Sequence, residues 1–327
     1  MKVIVIGLGS MGKRRIRLLK KLAPEAEIIG VDSNEERCAQ VREEYQIFTS
    51  QNLEQVLVEK QPERAFICTS PLSHNTLIHY CLEQGMHVFT EINLTADGYK
   101  ENVALAKEKG VTLFLSSTFL YREEMEYIRK RVNEREEPVN YTYHTGQYLP
   151  DWHPWESYKD MFLGDKRTNG CRELMAIEFP WLVEAFGNII DVKVIKSRNT
   201  KLQIDYADNY LMLLEHEDGN KGMVALDVVS RKAVRKLEVF GEHMYMTWEG
   251  TPDSLFDYDI EERVPKQIEL YQNVMHQEGY TATIIENAYA KEIECFFNCI
   301  SGKEKQRYGF EQDREILKWI DIIEERI

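Results

Sequence analysis

The chain opens with a short, wholly apolar run, Val3 to Ile6, which a glycine ends. Four apolar residues without polar alternation suit a strand buried on both faces. Residues 11–22 then set Met11, Ile16, Leu18, Leu19 and Leu22 among basic side chains, and that spacing predicts an amphipathic helix. Ile28–Val31 reads as a second strand and residues 35–45 as a second helix. Ala65–Cys68 is a third strand, followed by Thr69-Ser70-Pro71. A helix is predicted over Asn75–Gln84, ended by Gly85, then a strand at His87–Phe89. A helix over Ala96–Lys109, ended by Gly110, leads to a strand at Val111–Leu115. Strands and helices alternating in this way imply a doubly wound parallel sheet with helices on both faces.

Past residue 120 the period changes. A helix near 122–134 precedes strand-like Val139–Gly146, and residues 147–169 are aromatic and irregular. Arg172–Phe186 reads as a helix. Strand patterns follow at Val192–Lys196, Tyr210–Glu215, Gly222–Val229, Lys236–Phe240 and Met244–Trp248, with turn signals such as Asp218-Gly219-Asn220 between them. Strands in succession predict an antiparallel sheet. Helices at 284–300 and 311–327 close the chain. The fold class is α/β: a Rossmann-type doubly wound parallel sheet over 1–120, then an α+β domain over 121–327 with an open, mostly antiparallel sheet. This division leaves the carboxyl-terminal helices able to pack back on the first domain. The open sheet has no second covering layer, which predicts a homo-oligomer packed through residues 190–250.

Composition narrows the function classes. The 327 residues are 43% hydrophobic and 29% charged, as in a globular protein. A net charge of −14 with no long basic run argues against a nucleic-acid partner and against an acidic membrane surface. No apolar stretch reaches the roughly 20 residues of a membrane span, and the first apolar run is too short for a signal-peptide core, so a cytoplasmic location is expected. The six cysteines form no C-x-x-C pair, which predicts neither disulfides nor a metal site.

Gly7-Leu8-Gly9-Ser10-Met11-Gly12 follows a predicted strand and opens a predicted helix, the setting that G-x-G-x-x-G needs to cradle a dinucleotide. Gly7 permits the tight turn, Gly9 lets the backbone approach a pyrophosphate, and Gly12 lets helix and strand pack closely. The helix amino terminus adds N–H groups and the positive end of its dipole. Met11 is placed under the cofactor. Asp32 ends the second strand about 20 residues past the last glycine, where an acid accepts from ribose hydroxyls. A carboxylate there repels a 2′-phosphate, so NAD is predicted in preference to NADP. Asp32 also suits a helix N-cap, and the two roles are compatible.

Together with this loop, three further segments resemble the Gfo/Idh/MocA dehydrogenases. They are Thr69-Ser70-Pro71-Leu72-Ser73-His74, Gly85-Met86-His87-Val88-Phe89-Thr90-Glu91, and Tyr289, Glu292 and Phe296 in a Y-x-x-E-x-x-x-F helix. The resemblance implies a two-domain fold with NAD as cofactor. It also implies a substrate pocket between the domains for a sugar, inositol or sugar-nucleotide. It brings Thr69, Pro71, His74 and Glu91 to the cofactor side, although His74 also reads as helix-capping. Two departures stand out. Where the family has E-K-P, this chain has Glu91-Ile92-Asn93, so the lysine is Ile92 and Asn93 falls to the substrate side. The family's aspartate and histidine, on the helix after a G-G-G stretch, are also missing, and apolar residues or Glu178 align with the histidine.

Other residues must then handle a proton. Arg172, Glu173 and Glu178 lie within two turns of an otherwise apolar helix, where charges need a partner or a task. One reading is an internal Arg–Glu anchor. The other makes Glu178 the proton-transfer group, with Arg172 and Glu173 binding substrate. The segment with Gln147, Tyr148, Asp151, Trp152, His153 and Trp155 suits a sugar, Tyr148 and His153 offering proton transfer and Trp152 an apolar face; it equally suits packing against another subunit. Three functions fit: an NAD-dependent oxidoreductase of a carbohydrate-like small molecule, a lyase or epimerase that uses NAD transiently, and an NAD-binding protein without net redox activity.

Overall fold

A computed structural model describes residues 1–152, 156–281 and 283–325. It separates into two compact units. One holds Met1–Ser117 and Tyr289–Arg314; the other holds Thr118–Ala288 and the chain from Glu315 on.

The first unit alternates strand and helix: β1 Lys2–Ile6, α1 Ser10–Leu22, β2 Glu27–Val31, α2 Glu35–Tyr45, β3 Phe48–Ser50, α3 Leu53–Lys60, β4 Arg64–Ile67, α4 Pro71–Glu83, β5 His87–Thr90, α5 Tyr99–Lys109 and β6 Leu113–Leu115. The six strands are ordered β3-β2-β1-β4-β5-β6 and pair in parallel throughout. Val3, Ile4 and Val5 are fully buried, as helices on both faces require. Strand order reverses between β1 and β4, so the loops after these two strands diverge and leave a crevice at their carboxyl ends.

Several elements differ from the sequence pattern. β3 and α3 are additions to the sequence pattern: β3 has three residues, and α3 buries Val56 and Leu57. The Asn52 side chain sets the start of α3 by accepting from the Gln55 N–H at 3.0 Å. α4 begins at Pro71 rather than Asn75, because proline at the first helical position brings a suitable φ and lacks a donor that would go unpaired. α5 begins three residues late, after Gly98 at φ +70°.

The second unit carries α6 Glu123–Asn133, β7 Asn140–Gly146, α7 Gly170–Phe186, β8 Ile189–Ser197, β9 Asn209–His216, β10 Lys221–Asp227, β11 Val234–Gly241, β12 Met244–Trp248, β13 Phe256–Asp259 and β14 Val264–Gln267. The short strands β13 and β14 are additions to the sequence pattern. The sheet order is β14-β13-β12-β11-β7-β10-β9-β8, antiparallel except for the parallel pair β7 and β10. Tyr141, Tyr143, Leu214, Val224, Leu237, Val239 and Trp248 are buried on the inner face, where α7 lies against β9 and β10. On the other face Ile195 is 72% exposed, Leu211 55%, Leu213 53% and Met223 51%. Register sets Ile195 beside Leu211 and Leu213 beside Met223, so these side chains form one apolar patch. No helix among the described residues is long and apolar enough to cross a membrane.

The chain ends with α8 Asn287–Ile300 and α9 Phe310–Ile323. Phe296 of α8 meets Phe66, Phe89 and Phe114 edge-on, with centroids 5.4, 5.6 and 5.7 Å away. Beside this aromatic cluster lies a buried charge network. Arg15 of α1 donates from Nε to Glu91 Oε1 at 2.6 Å and from Nη2 to Glu292 Oε2 at 2.7 Å. The guanidinium carbon lies 4.4 Å from the Phe89 ring centre. Burial opposes the charge on Arg15, but Glu91 and Glu292 outweigh it and raise the pKa further. Burial pushes the Glu292 carboxyl up, and Arg15 pulls it back.

Replacing Arg15 by Met strands two neighbouring buried carboxylates. We expect Arg15→Met to cost about 3–5 kcal/mol at neutral pH, the usual range for breaking a buried pair. Carboxylates left without their cation have folded-state pKa values above the unfolded ones, so their protonated forms favour the fold and the deficit grows as pH rises. Urea unfolding from pH 5 to 8 should show the variant losing ground with increasing pH; a pH-independent deficit would contradict this account.

Candidate cofactor site and the polar cluster of the second unit

The turn from β1 into α1 holds Gly7, Gly9, Ser10, Met11 and Gly12. Gly7 has φ +93°, and a Cβ there would stand 2.6 Å from the Cys68 carbonyl oxygen. A Cβ on Gly12 would stand 1.9 Å from the Gly7 carbonyl oxygen. Both glycines are therefore fixed by the protein's own packing. Gly9 differs: a Cβ there would meet nothing within 4 Å. The space beside Gly9 is open at the helix amino terminus. No side chain caps the first turn of α1, and no acidic residue occupies it. An open backbone surface under a positive dipole end is what a pyrophosphate needs, so the residues present fit a dinucleotide. Met11 is half-buried, its sulfur accepting from Arg14 Nη1 at 3.0 Å.

Asp32 stands at the carboxyl end of β2. Its Oδ2 accepts from the Leu8 N–H at 2.7 Å and its Oδ1 from the Asn34 N–H at 2.9 Å. The N-cap of α2 is Asn34, whose side chain accepts from the N–H groups of Glu36 and Arg37. Asp32 thus braces the glycine loop instead of capping the helix.

Thr69, Pro71 and His74 follow β4 on the other side of the crevice. Thr69 and Ser73 share a hydroxyl hydrogen bond of 2.7 Å, and Pro71 opens α4. His74 is buried, with Nε2 3.0 Å from the Thr69 carbonyl oxygen and Nδ1 2.7 Å from Asn93 Oδ1. Burial lowers the His74 pKa. A neutral ring that donates from Nε2 to Thr69 can only accept at Nδ1, so the Asn93 amide must turn its NH2 toward the ring. That orientation also gives a partner to the Asn93 nitrogen, which otherwise has none. The structure brings His74 and Asn93 together as one buried relay. Glu91 is engaged by Arg15, a residue the sequence pattern did not single out. Its signal was position: three residues past Gly12, on the helix face that carries Ile16 and Leu19 to the sheet.

In the second unit Glu178 is enclosed. Tyr143 Oη donates to Oε2 at 2.6 Å, Trp181 Nε1 to Oε2 at 2.7 Å, and Arg235 to Oε1 from Nη2 at 2.6 Å and Nε at 3.1 Å. Arg235 was legible too: it shares the inward parity of Leu237 and Val239 in β11. Arg172 is also anchored, with Nη1 2.5 Å from Glu324 Oε2 and Nη2 2.8 Å from Asp321 Oδ1. Asp321 lies on α9 and Glu324 just past its end. Glu173 differs from its neighbours. It is half-buried, its carboxyl makes no hydrogen bond or ion pair to any described residue, and burial alone pushes that carboxyl up to about 7. Tyr148 is half-buried, with the Arg231 guanidinium 4.2 Å above its ring. Trp152 Nε1 donates to the Gln147 carbonyl at 3.0 Å. His153 lies outside the described residues.

Comparison with known proteins sharpens the first unit. Residues 1–117 match the sequence model of the oxidoreductase family described as having an NAD-binding Rossmann fold, GFO_IDH_MocA. That match covers the amino-terminal domain alone and agrees with the resemblance to the Gfo/Idh/MocA dehydrogenases carried by its motifs. A segment of 138 residues is 33% identical to mouse biliverdin reductase A; it makes up 41% of this chain and 45% of that protein. The chain thus spans about half the length of the curated relative it matches. Over the whole chain the fold is that of UDP-N-acetylglucosamine 3-dehydrogenase from Acidithiobacillus ferrooxidans, with a TM-score of 0.77 at 17% identity, covering 100% of this chain and 97% of that one. Biliverdin reductase from Synechocystis, solved with biliverdin and NADP+, has a TM-score of 0.74 at 16% identity, covering 98% and 97%.

The Gfo/Idh/MocA loop makes a sharp prediction about its glycines. Gly9→Ala should leave the unfolding midpoint within about 0.5 kcal/mol of the unmodified protein, as for a substitution into open space. It should weaken NADH at least tenfold, because the new methyl fills the pyrophosphate's place. Thermal unfolding and calorimetric titration of the same samples test both halves; unaltered NADH affinity would remove Gly9 from the cofactor site.

Proposed function

We propose that the protein is an NAD-dependent oxidoreductase acting on a sugar or sugar-nucleotide derivative. The observation that carries this reading is the open, uncapped glycine loop of a Gfo/Idh/MocA domain joined to a whole-chain fold like that of a sugar-nucleotide dehydrogenase. NAD, when bound, supplies the acceptor or donor of a hydride. The chain's own residues must move the matching proton and hold the substrate. Glu178, the residue first favoured for the proton, is held by four donors, and protonating it would break its ion pair with Arg235. We assign the proton to Glu173. Its carboxyl has no competing partner among the described residues, and burial pushes it up to about 7, where a general acid or base works best. In the oxidation direction the substrate hydroxyl gives its proton to the Glu173 carboxylate while its carbon gives up the hydride. Tyr148 and Trp152 offer aromatic faces to sugar C–H surfaces, and Asn93 a polar contact in place of the family's lysine.

A second reading, reduction of a biliverdin-like open-chain tetrapyrrole, is favoured by the identity to biliverdin reductase A. Turnover of NADH with biliverdin, set against NAD+ reduction with a panel of sugar nucleotides, separates the two. Cofactor binding without turnover of either class would leave an NAD-binding protein without net redox activity.

We further propose that the apolar outer face of the second sheet joins two copies of the chain. An uncovered face built from Ile195, Leu211, Leu213 and Met223 is costly in water unless another surface covers it, and a self-complementary patch is buried most simply by a two-fold partner.

Two outcomes are expected. Glu173→Gln should lower turnover by about 10²–10⁴, the usual contribution of a positioned acid or base, with NADH affinity nearly unchanged. Reduction needs protonated Glu173, so its rate should fall as pH rises through about 7, and oxidation should do the reverse. Equal loss of binding and turnover would make Glu173 structural. For assembly, light scattering should give twice the chain mass, and Leu213→Lys with Met223→Glu should return a folded monomer; a monomeric unmodified protein at micromolar concentration would refute the interface.

A further inference from the structure

We propose that Cys295 and Cys299 form a reversible redox pair whose disulfide weakens dinucleotide binding. The effect on binding rests on the cofactor site described above; formation of the bond does not.

The two thiols lie one turn apart in α8, with their sulfurs 4.0 Å from each other. Neither is in a disulfide. Cys295 is buried and Cys299 half-buried, so a small oxidant from solvent meets Cys299 first. Cys38, Cys68, Cys81 and Cys171 are buried. The rise of a helix sets Cα atoms four residues apart at about 6 Å, inside the span of about 4.4–6.8 Å that a disulfide bridges. The Cβ atoms, roughly 5–6 Å apart at this spacing, must close to about 4 Å. The place of the pair makes that contraction cheap. α8 ends at Ile300, and the Gly302 N–H already bonds back three residues to the Cys299 carbonyl at 3.1 Å, with Gly302 at φ +70°. A last turn of this kind tightens without breaking the helix before it.

A hydroperoxide supplies the oxidant. Its terminal oxygen takes two electrons from Cys299 Sγ: the S–O bond of a sulfenic acid forms, the O–O bond breaks, and water leaves when the peroxide is H2O2. Cys295 Sγ then attacks Cys299 Sγ. The S–S bond forms, the S–O bond breaks, and the hydroxyl leaves with the Cys295 thiol proton as a second water. Burial raises the Cys299 pKa more than the Cys295 hydrogen bond lowers it, so the pair reacts slowly, as a sensor does, and does not turn over as a peroxidase.

Glu292, Cys295, Phe296 and Cys299 fall on one face of α8 at about 100° per residue. Phe296 lies in the turn that the disulfide contracts. Its ring meets Phe89 edge-on at 5.6 Å, and the Arg15 guanidinium lies over Phe89 at 4.4 Å. One turn earlier, Glu292 holds Arg15 Nη2 at 2.7 Å. Drawing Cys295 toward Cys299 shifts the ring and the carboxylate that hold Arg15. Arg15 stands on the helix whose first turn faces the pyrophosphate. A close-packed core transmits such a shift.

Treating the full chain with hydrogen peroxide, then mapping peptides without reductant and titrating NADH, tests both parts. The tryptic peptide 292–303 should become lighter by about 2 Da, the mass of two hydrogens. The NADH dissociation constant should rise about fivefold or more, and dithiothreitol should reverse both changes. Cys299→Ser should bind NADH within about twofold of the unmodified chain and should lose both responses to peroxide. The pair is refuted if the peptide keeps its mass or only gains oxygen. The coupling is refuted if the bond forms and NADH affinity stays the same, or if peroxide weakens NADH equally in Cys299→Ser, which would move the effect to another residue such as Met11. A reduced chain that binds no NADH would defeat the cofactor site and the coupling built on it, while the peptide mass still decides whether the bond forms.

Discussion

The first unit depends on one buried cation. Arg15 is carried on the helix that the glycine loop opens, and it reaches both the acid that ends β5 and the acid on α8. Without it the cluster would hold two carboxylates and no counter-ion in an apolar setting walled by Phe89 and its aromatic neighbours. With it, helix, strand end and carboxyl-terminal helix are fixed to one another by directional bonds, and nothing in the cluster can shift without exposing a charge to a low dielectric. The rigidity matters because the pyrophosphate surface is the first turn of that same helix. A helix free to slide would move its N–H groups off the phosphate.

The polar clusters of the two units solve the same problem differently from what a catalytic reading of their residue types suggests. Charged residues inside apolar helices invite assignment to chemistry. Glu178 and Arg172 both proved to be satisfied by partners on other elements, Arg235 on a strand and Glu324 beyond α9. The Glu173 carboxyl, on the same helix, has no partner among the described residues and is held partly out of water. The sequence pattern favoured Glu178 for the proton and left Arg172 and Glu173 to the substrate; hydrogen-bond satisfaction separates the three differently. A titratable group that the scaffold leaves unpaired is the one available to a substrate.

Much of the fold was legible because its signals are local. Short apolar runs marked β1, β2, β4 and β5, and strand-like runs separated by turn signals marked β9 to β12. The glycine loop and Asp32 were legible because their roles follow from backbone geometry. What escaped was short: three-residue β3, eight-residue α3, and four-residue β13 and β14, the strands held by their neighbours in the sheet. The ion-pair partners escaped for a different reason. Arg15 and Glu292 are separated by 277 positions and Glu178 and Arg235 by 57, and no periodicity links residues so far apart. Inward parity of Arg235 and the sheet-facing position of Arg15 were visible, but parity says only that a charge is buried, not with what.

The parallel pairing of β7 with β10 has a consequence for how the second unit folds. Every other strand pair in that sheet is antiparallel, but β7 meets β10 only after α7, β8 and β9 have been laid down, and β11 then returns to pair with the other edge of β7. The sheet's middle is therefore its least local seam. Closing that loop costs chain entropy before any pairing offsets it, and folds dominated by such contacts are slow to form. The hairpins β8–β9 and β11–β12 can assemble early as separate halves; the unit becomes one structure when β7 is captured between β10 and β11, and until then both inner strand edges stand open to pairing with the wrong chain.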